Sequence, residues 1–225
     1  MNKFKYKFNK IYNLIFGEKF YKKIPFNWDN KPSRVELIKK IISLNRYKEY
    51  LEIGCDNDQV FSKIDLKNKL GVDPVSGGNI RKTSDDFFST NIKNFDIVFI
   101  DGLHTYEQVK KDIKNSLNFL NPRGVIILHD CLPSSYWQQA TPRSQYKWTG
   151  DVWKAIVEMR TKEYLDTYTC YADMGLGIIF NRSNSNILKL DTKNFKRLKF
   201  KEFFYSHKNF MNIINYQEIQ KLFYF

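Results

Sequence analysis

The chain has 225 residues, 37 of them Lys or Arg against 24 Asp or Glu, for a formal charge of +13. That length suits one domain with appendages rather than two equal domains, and three cysteines without a CxxC pair argue against a disulfide framework or zinc ribbon, so a reducing cytoplasm is the expected compartment. No run reaches the roughly 18 apolar residues of a membrane span, and the Lys-rich start lacks the core and cleavage site of a signal peptide, so the whole chain is expected to be the mature protein.

Lysines are spread along the chain among Asn, Ile, Phe and Tyr, which reads as charge on solvated faces; nucleic acid is therefore not the expected partner. Residues 1–32 form a basic arm, with Phe4, Phe8, Ile11 and Ile15 at helical spacing among Lys3, Lys5, Lys7 and Lys10. Such an arm packs on its own domain, meets a second subunit or makes weak peripheral contact with a membrane through residues 1–24. Ser33 and Glu36 have capping-box spacing and open a helix over 34–44. A strand over 50–53, a short helix over 59–64 and a strand over 70–73 follow. Gly77-Gly78 marks a turn before a weak third strand over 80–83.

Two later apolar runs end alike. Phe95-Asp96-Ile97-Val98-Phe99-Ile100 leads into Asp101-Gly102-Leu103-His104, and Gly124-Val125-Ile126-Ile127-Leu128 leads into His129-Asp130. β-Branched runs of this kind read as parallel strands buried on both faces, and polar groups beyond their carboxyl ends stand where open α/β sheets bind ligands. Between them Thr105 and Gln108 have capping-box spacing, and Tyr106, Val109, Ile113, Leu117 and Leu120 make one helix face. Residues 131–150 read as a loop lying over the site; Tyr136, Trp137 and Trp148 in it, with Trp153 just beyond, are placed to stack on a ligand ring, and Gln138, Gln139 and Arg143, with Asp151 just beyond, to bond its polar groups. A helix over 151–162, a strand pair over 164–171 and 176–181, and a final helix near 212–225 complete the chain. Residues 33–182 thus make the main domain, with 183–225 an aromatic, basic extension packed on it. His207 is expected at the surface.

Several residues carry chemistry of their own. Gly54 lets a backbone pass close to a ligand. Asp73, 21 residues after Glu52, is placed to accept from vicinal ribose hydroxyls. Asp56 and Asp58, in the loop after Gly54, repel a diphosphate, which disfavours a dinucleotide and not a cation. Asp101 and Asp130, with His129, form a candidate site for Mg²⁺ or Mn²⁺, the alternative being a metal-free site in which Asp101 orients His104. His104 is suited to removing a hydroxyl proton near neutral pH. Cys131 is preceded by no proline-cysteine signature of cytosine methylation.

Taken together, Leu51-Glu52-Ile53-Gly54, Gly71-Val72-Asp73, Thr83-Ser84-Asp85, Phe99-Ile100-Asp101-Gly102 and Leu128-His129-Asp130 resemble the ordered motifs of class I S-adenosylmethionine-dependent methyltransferases. The segment Ile100 to Tyr106, the His129-Asp130 pair and Gly150-Asp151-Val152-Trp153-Lys154 look like the branch acting on sugars and macrolide sugars, some of which use a divalent metal. The resemblance implies a doubly wound, Rossmann-like α/β fold: a seven-stranded, mostly parallel sheet with an antiparallel last strand. It also implies that Glu52, Gly54, Asp73, Ser84, Asp85 and Asp101 hold S-adenosylmethionine, that His104 and Asp101 are catalytic, and that the acceptor is a hydroxyl on a sugar or glycosylated small molecule. Rival readings are an RNA or DNA methyltransferase using the basic surface and a catalytically idle binding module, with a homo-oligomer compatible with each.

Overall fold

The computed structural model describes residues 3–223. β1 (Glu49–Ile53), β2 (Asn68–Val72), β3 (Phe95–Ile100), β4 (Leu120–Leu128), β5 (Leu165–Cys170), β6 (Leu176–Asn181) and β7 (Ile213–Ile214) form one sheet in the order β2-β1-β3-β4-β6-β5-β7. Neighbours from β2 to β4 pair in parallel, β6 runs antiparallel to both β4 and β5, and β7 pairs parallel with β5. The strand count of seven matches the expectation, but its membership differs. The expected strand over 80–83 is only a bridge between Val72 and Ile80. There Gly77 and Gly78, both at positive φ, fold the chain back so that the N–H groups of Asn79 and Ile80 both reach the Gly71 carbonyl, and a helix begins at Ser84 before pairing can extend. β7 takes the seventh place, in a region expected to be helical.

Side-chain alternation along the strands divides the core between two faces. Leu51, Ile53, Val98, Ile100, Ile126 and Leu128 pack toward α3 (Ser84–Thr90), α4 (Tyr106–Asn118), α6 (Trp153–Met159) and α7 (Phe200–Met211). Tyr50, Ile97, Phe99, Val125 and Ile127 pack toward α2 (Arg34–Asn45) and the 3₁₀ turn Tyr216–Phe223. The Ser33–Glu36 capping box opens α2 as its spacing predicts. At α4 the Thr105–Gln108 box does not form: Asp151 Oδ1 accepts the Tyr106 N–H at 2.8 Å, and the Gln108 amide is used elsewhere.

The tail departs most from expectation. Residues 216–223 form a 3₁₀ turn, while the α-helix is α7, upstream of β7; the remainder of the expected final helix lies outside the described residues. Phe203 packs 4.8 Å from the buried Trp153 of α6. His207 is half-buried, its ring edge-on to Phe26 at 5.5 Å, instead of free at the surface.

The N-terminal helix α1 (Lys3–Phe16) lies on the domain by its polar side. Asn9 and Asn13 are buried and donate to the carbonyls of Arg143 and Pro142 at 2.7 and 2.8 Å. Phe4, Phe8, Ile11 and Ile15 face outward, between 57% and 76% exposed. The surface receiving α1 offers unpaired loop carbonyls, and amide side chains satisfy these where an apolar stripe leaves them orphaned.

Candidate active site

Parallel register brings Ile53, Val72, Ile100 and Leu128 into line, so the residues that follow them line one edge of the sheet. The backbone ladder continues one step further, with Gly54 N–H on Val72, Asp101 N–H on Ile53 and His129 N–H on Ile100. Gly54 lies at φ +86, and an added Cβ would collide with the carbonyl of Asp101 and with Gly102. Close approach of β1 and β3 is thus what excludes a side chain there.

At this edge Asp101, His104 and Asp130 converge, with one ligand atom of each within 4.8 Å of the others. His104 Nε2 is 3.3 Å from Asp101 Oδ1 and its Nδ1 is 2.9 Å from Asp130 Oδ2. His129, expected in this trio, stands behind it. Its Nδ1 bonds Asp101 Oδ1 at 3.1 Å, and its Nε2 meets Arg34 Nη1 at 2.9 Å and Asp173 Oδ1 at 3.3 Å. The last two contacts exclude each other as hydrogen bonds, since a guanidinium only donates and a carboxylate only accepts. Asp130 lies at φ +61, and this left-handed turn points consecutive residues His129 and Asp130 to different partners.

Three carboxylates surround two imidazoles and one guanidinium. Burial works against charge on His104, but the carboxylates of Asp101 and Asp130 outweigh it and lift the ring to about 10. His129 is likewise raised, Asp101 and Asp130 overcoming burial. Asp101 is held well below the usual carboxylate range: burial opposes this, and His129 and His104 override it. Asp130 Oδ1 is buried without a hydrogen-bond partner, and the 2.9 Å contact of His104 Nδ1 with Asp130 Oδ2 is a charge contact out of hydrogen-bond alignment.

The cluster opens on a cavity of about 890 Å³ that Gly54, Asp73, Ser84, Asp85 and Arg143 also line. Asp73 accepts four backbone N–H bonds, from Cys55 and Asp56 on one oxygen and Val75 and Ser76 on the other, at 2.8 to 3.1 Å. Burial alone would raise its pKa; these donors lower it. It therefore ties the loop after β1 to the loop after β2 while facing the cavity. Asp85 bonds Lys111 at 2.6 Å. Glu52 does not line the cavity: it is buried on the face of Tyr50, whose hydroxyl donates to it at 2.5 Å, and burial pushes its carboxyl up to about 8.

Residues 40–131 match the family model described as a methyltransferase domain. Over that stretch, which is less than half of the chain, the sequence is similar to a methyltransferase domain. The chain's fold is that of class I methyltransferases, as likeness to solved structures shows. A Podospora anserina methyltransferase with SAH bound aligns at a TM-score of 0.51 and 14% identity, over 79% of this chain and 86% of that one. An O-methyltransferase from Bacillus cereus in complex with SAH aligns at 0.50 and 11% identity, over 79% and 89%. No curated protein matches the sequence.

Most of the residues expected to contact an acceptor are engaged elsewhere. Asp151 caps α4, Gln139 accepts from the Trp153 indole at 3.2 Å, Gln138 binds Ser134, and Trp153 is fully buried. Trp148 does reach the site, stacked on the His104 ring at 5.5 Å and 7°. Cys131 is buried and burial pushes its thiol up, so it is no nucleophile. Three site residues were not singled out from the sequence: Arg34, Asp173 and Asp112. The last left a signal, because an acid three residues after Val109 and four before Ser116 falls within the buried stripe of α4. Its Oδ1 accepts from Gln108 at 3.0 Å, its Oδ2 has no partner, and burial lifts it to about 6.

Proposed function

We propose that the protein transfers a methyl group from S-adenosylmethionine to a hydroxyl of a sugar or glycosylated small molecule. The observation that carries this reading is the convergence of Asp101, His104 and Asp130 on the wall of a cavity lined by Gly54, Asp73 and Asp85. The cavity fits the cofactor on its own chemistry: acids line it, the unpartnered Asp112 oxygen stands beside Gln108 as a further acceptor, and a cationic sulfonium suits such walls where a diphosphate does not. When bound, S-adenosylmethionine supplies an electrophilic methyl group.

The chain's own residues hold and orient. Asp73 and Asp85, with Ser84, would meet the nucleoside, and Gly54 with the Asp101 backbone the amino-acid portion. Asp101 and Asp130 hold the His104 ring from two sides, and Trp148 covers its face, excluding water. The neutral ring takes the hydroxyl proton as the oxygen becomes bonded to carbon, and the carboxylates stabilise the imidazolium that results.

Calorimetry with S-adenosylhomocysteine, followed by radiolabelled methyl transfer to a panel of glycosides and to RNA, tests the reading. Binding with incorporation into a glycoside is expected. No binding, or incorporation only into RNA, would overturn it.

The buried, unpartnered Asp130 Oδ1 and the convergence of three ligand atoms favour a second arrangement, in which Asp101, His104 and Asp130 would hold Mg²⁺ or Mn²⁺, positioning the acceptor hydroxyl and lowering its pKa. Imidazole ligation requires the neutral ring, so ion binding would release a proton. Titration with Mn²⁺ in two buffers of different ionisation enthalpy should show that release, and Asp130→Asn should abolish it; heat independent of buffer speaks for the metal-free arrangement.

A further inference from the structure

The outward face of α1 is both apolar and basic, and we propose that it docks the protein on an anionic lipid bilayer, with the helix lying in the plane of the interface. Phe8, Ile11 and Ile15 are 64%, 57% and 62% exposed, and Phe16 beside them is 72% exposed. Packing does not leave these side chains outward by default. The helix is fixed to the domain by its opposite side, where Asn9 and Asn13 bind the carbonyls of Arg143 and Pro142. The apolar stripe is therefore committed to the exterior, where a contiguous patch marks an interaction surface.

Charge selects the occupant. Residues 3–17 contain Lys3, Lys5, Lys7 and Lys10 and no Asp or Glu, and Lys19, Lys22 and Lys23 follow. None of these lysines pairs with a carboxylate among the described residues. Glu18, the first acid, is turned inward and accepts the backbone N–H groups of Phe200 and Lys201 at 2.7 Å each. A second copy packed stripe to stripe would bring lysine flanks together without an acid to pair them. Phosphate headgroups supply that partner, and acyl chains supply the apolar phase for Phe and Ile. At 14 residues α1 is too short to cross a bilayer, and no helix among the described residues is long and apolar enough to do so.

The docking surface adjoins the site. Arg143, whose carbonyl takes Asn9, lines the large cavity and lies over Trp148, which in turn stacks on His104. The proposal does not depend on the reaction assigned to that site.

Flotation of the full chain with vesicles of phosphatidylcholine, with and without phosphatidylglycerol, tests it. Binding is expected to the anionic vesicles and to weaken with salt. Phe8→Ser with Ile15→Ser, and separately Lys5→Glu with Lys7→Glu, should each lower the bound fraction about tenfold or more while leaving the melting temperature unchanged. Light scattering without vesicles should report a monomer. Failure to float with anionic vesicles, equal binding to phosphatidylcholine alone, or binding untouched by both variants would overturn the proposal. So would a dimer that Phe8→Ser with Ile15→Ser dissociates, which assigns the face to a second copy.

Discussion

His104 sits between Asp101 and Asp130, and its raised pKa of about 10 means that the ring is protonated at neutral pH until its environment changes. If the neutral ring is the base, kcat/KM rises with pH toward that value. His104→Asn should remove the rising limb and lower kcat by about 10²- to 10⁴-fold, with S-adenosylhomocysteine affinity retained. A flat profile in the parent enzyme would contradict the role. Glu52 offers a separate test, away from the cavity. Its carboxyl is lifted by burial from 4.5 to about 8, so across that window the folded chain keeps a proton that the unfolded chain gives up, and stability falls as pH rises. Glu52→Gln keeps an acceptor for Tyr50 and has no proton to lose. Its melting temperature relative to the parent should rise from pH 4.5 to 8, and a constant difference would refute the assignment.

Helix ends show how far local pattern carries. Ser33 with Glu36 caps α2 from within four residues of chain, whereas α4 takes its cap from Asp151, 45 residues away. Thr105→Ala should therefore change stability by less than about 0.5 kcal/mol. Asp151→Ala, which orphans the Tyr106 N–H, should cost about 1 to 2 kcal/mol in urea unfolding. Equal losses would reinstate Thr105 as the cap. For α7 the local pattern was present in the sequence, with Phe200, Phe203, Phe210 and Met211 on its buried face and Glu202 accepting from the Lys199 N–H. Dense aromatic and basic composition on both faces masked that period.

The extension beyond residue 182 completes the core of the whole molecule. Arg160 is 1% exposed and donates to the carbonyls of Asn186, Asn209 and Phe210, while α7 covers Trp153. Ending the chain at residue 182 would strand a buried guanidinium and bare an aromatic face. Such a variant should lose cooperative thermal unfolding and near-UV circular dichroism, and a sharp transition would show that 1–182 stands without the extension.

The parallel sheet and its row of acids and imidazoles were legible because they follow from contiguous runs: β-branched strands bury both faces, and whatever ends them lands on one edge. Which histidine joins the two carboxylates was not legible, since both follow strands and the choice rests on the left-handed turn at Asp130. The outward turn of α1, the inward Asp112, and Arg34 and Asp173 behind His129 belong to the same class. Each depends on contacts between segments far apart in the chain, and burial and hydrogen-bond satisfaction there are settled only when those segments pack.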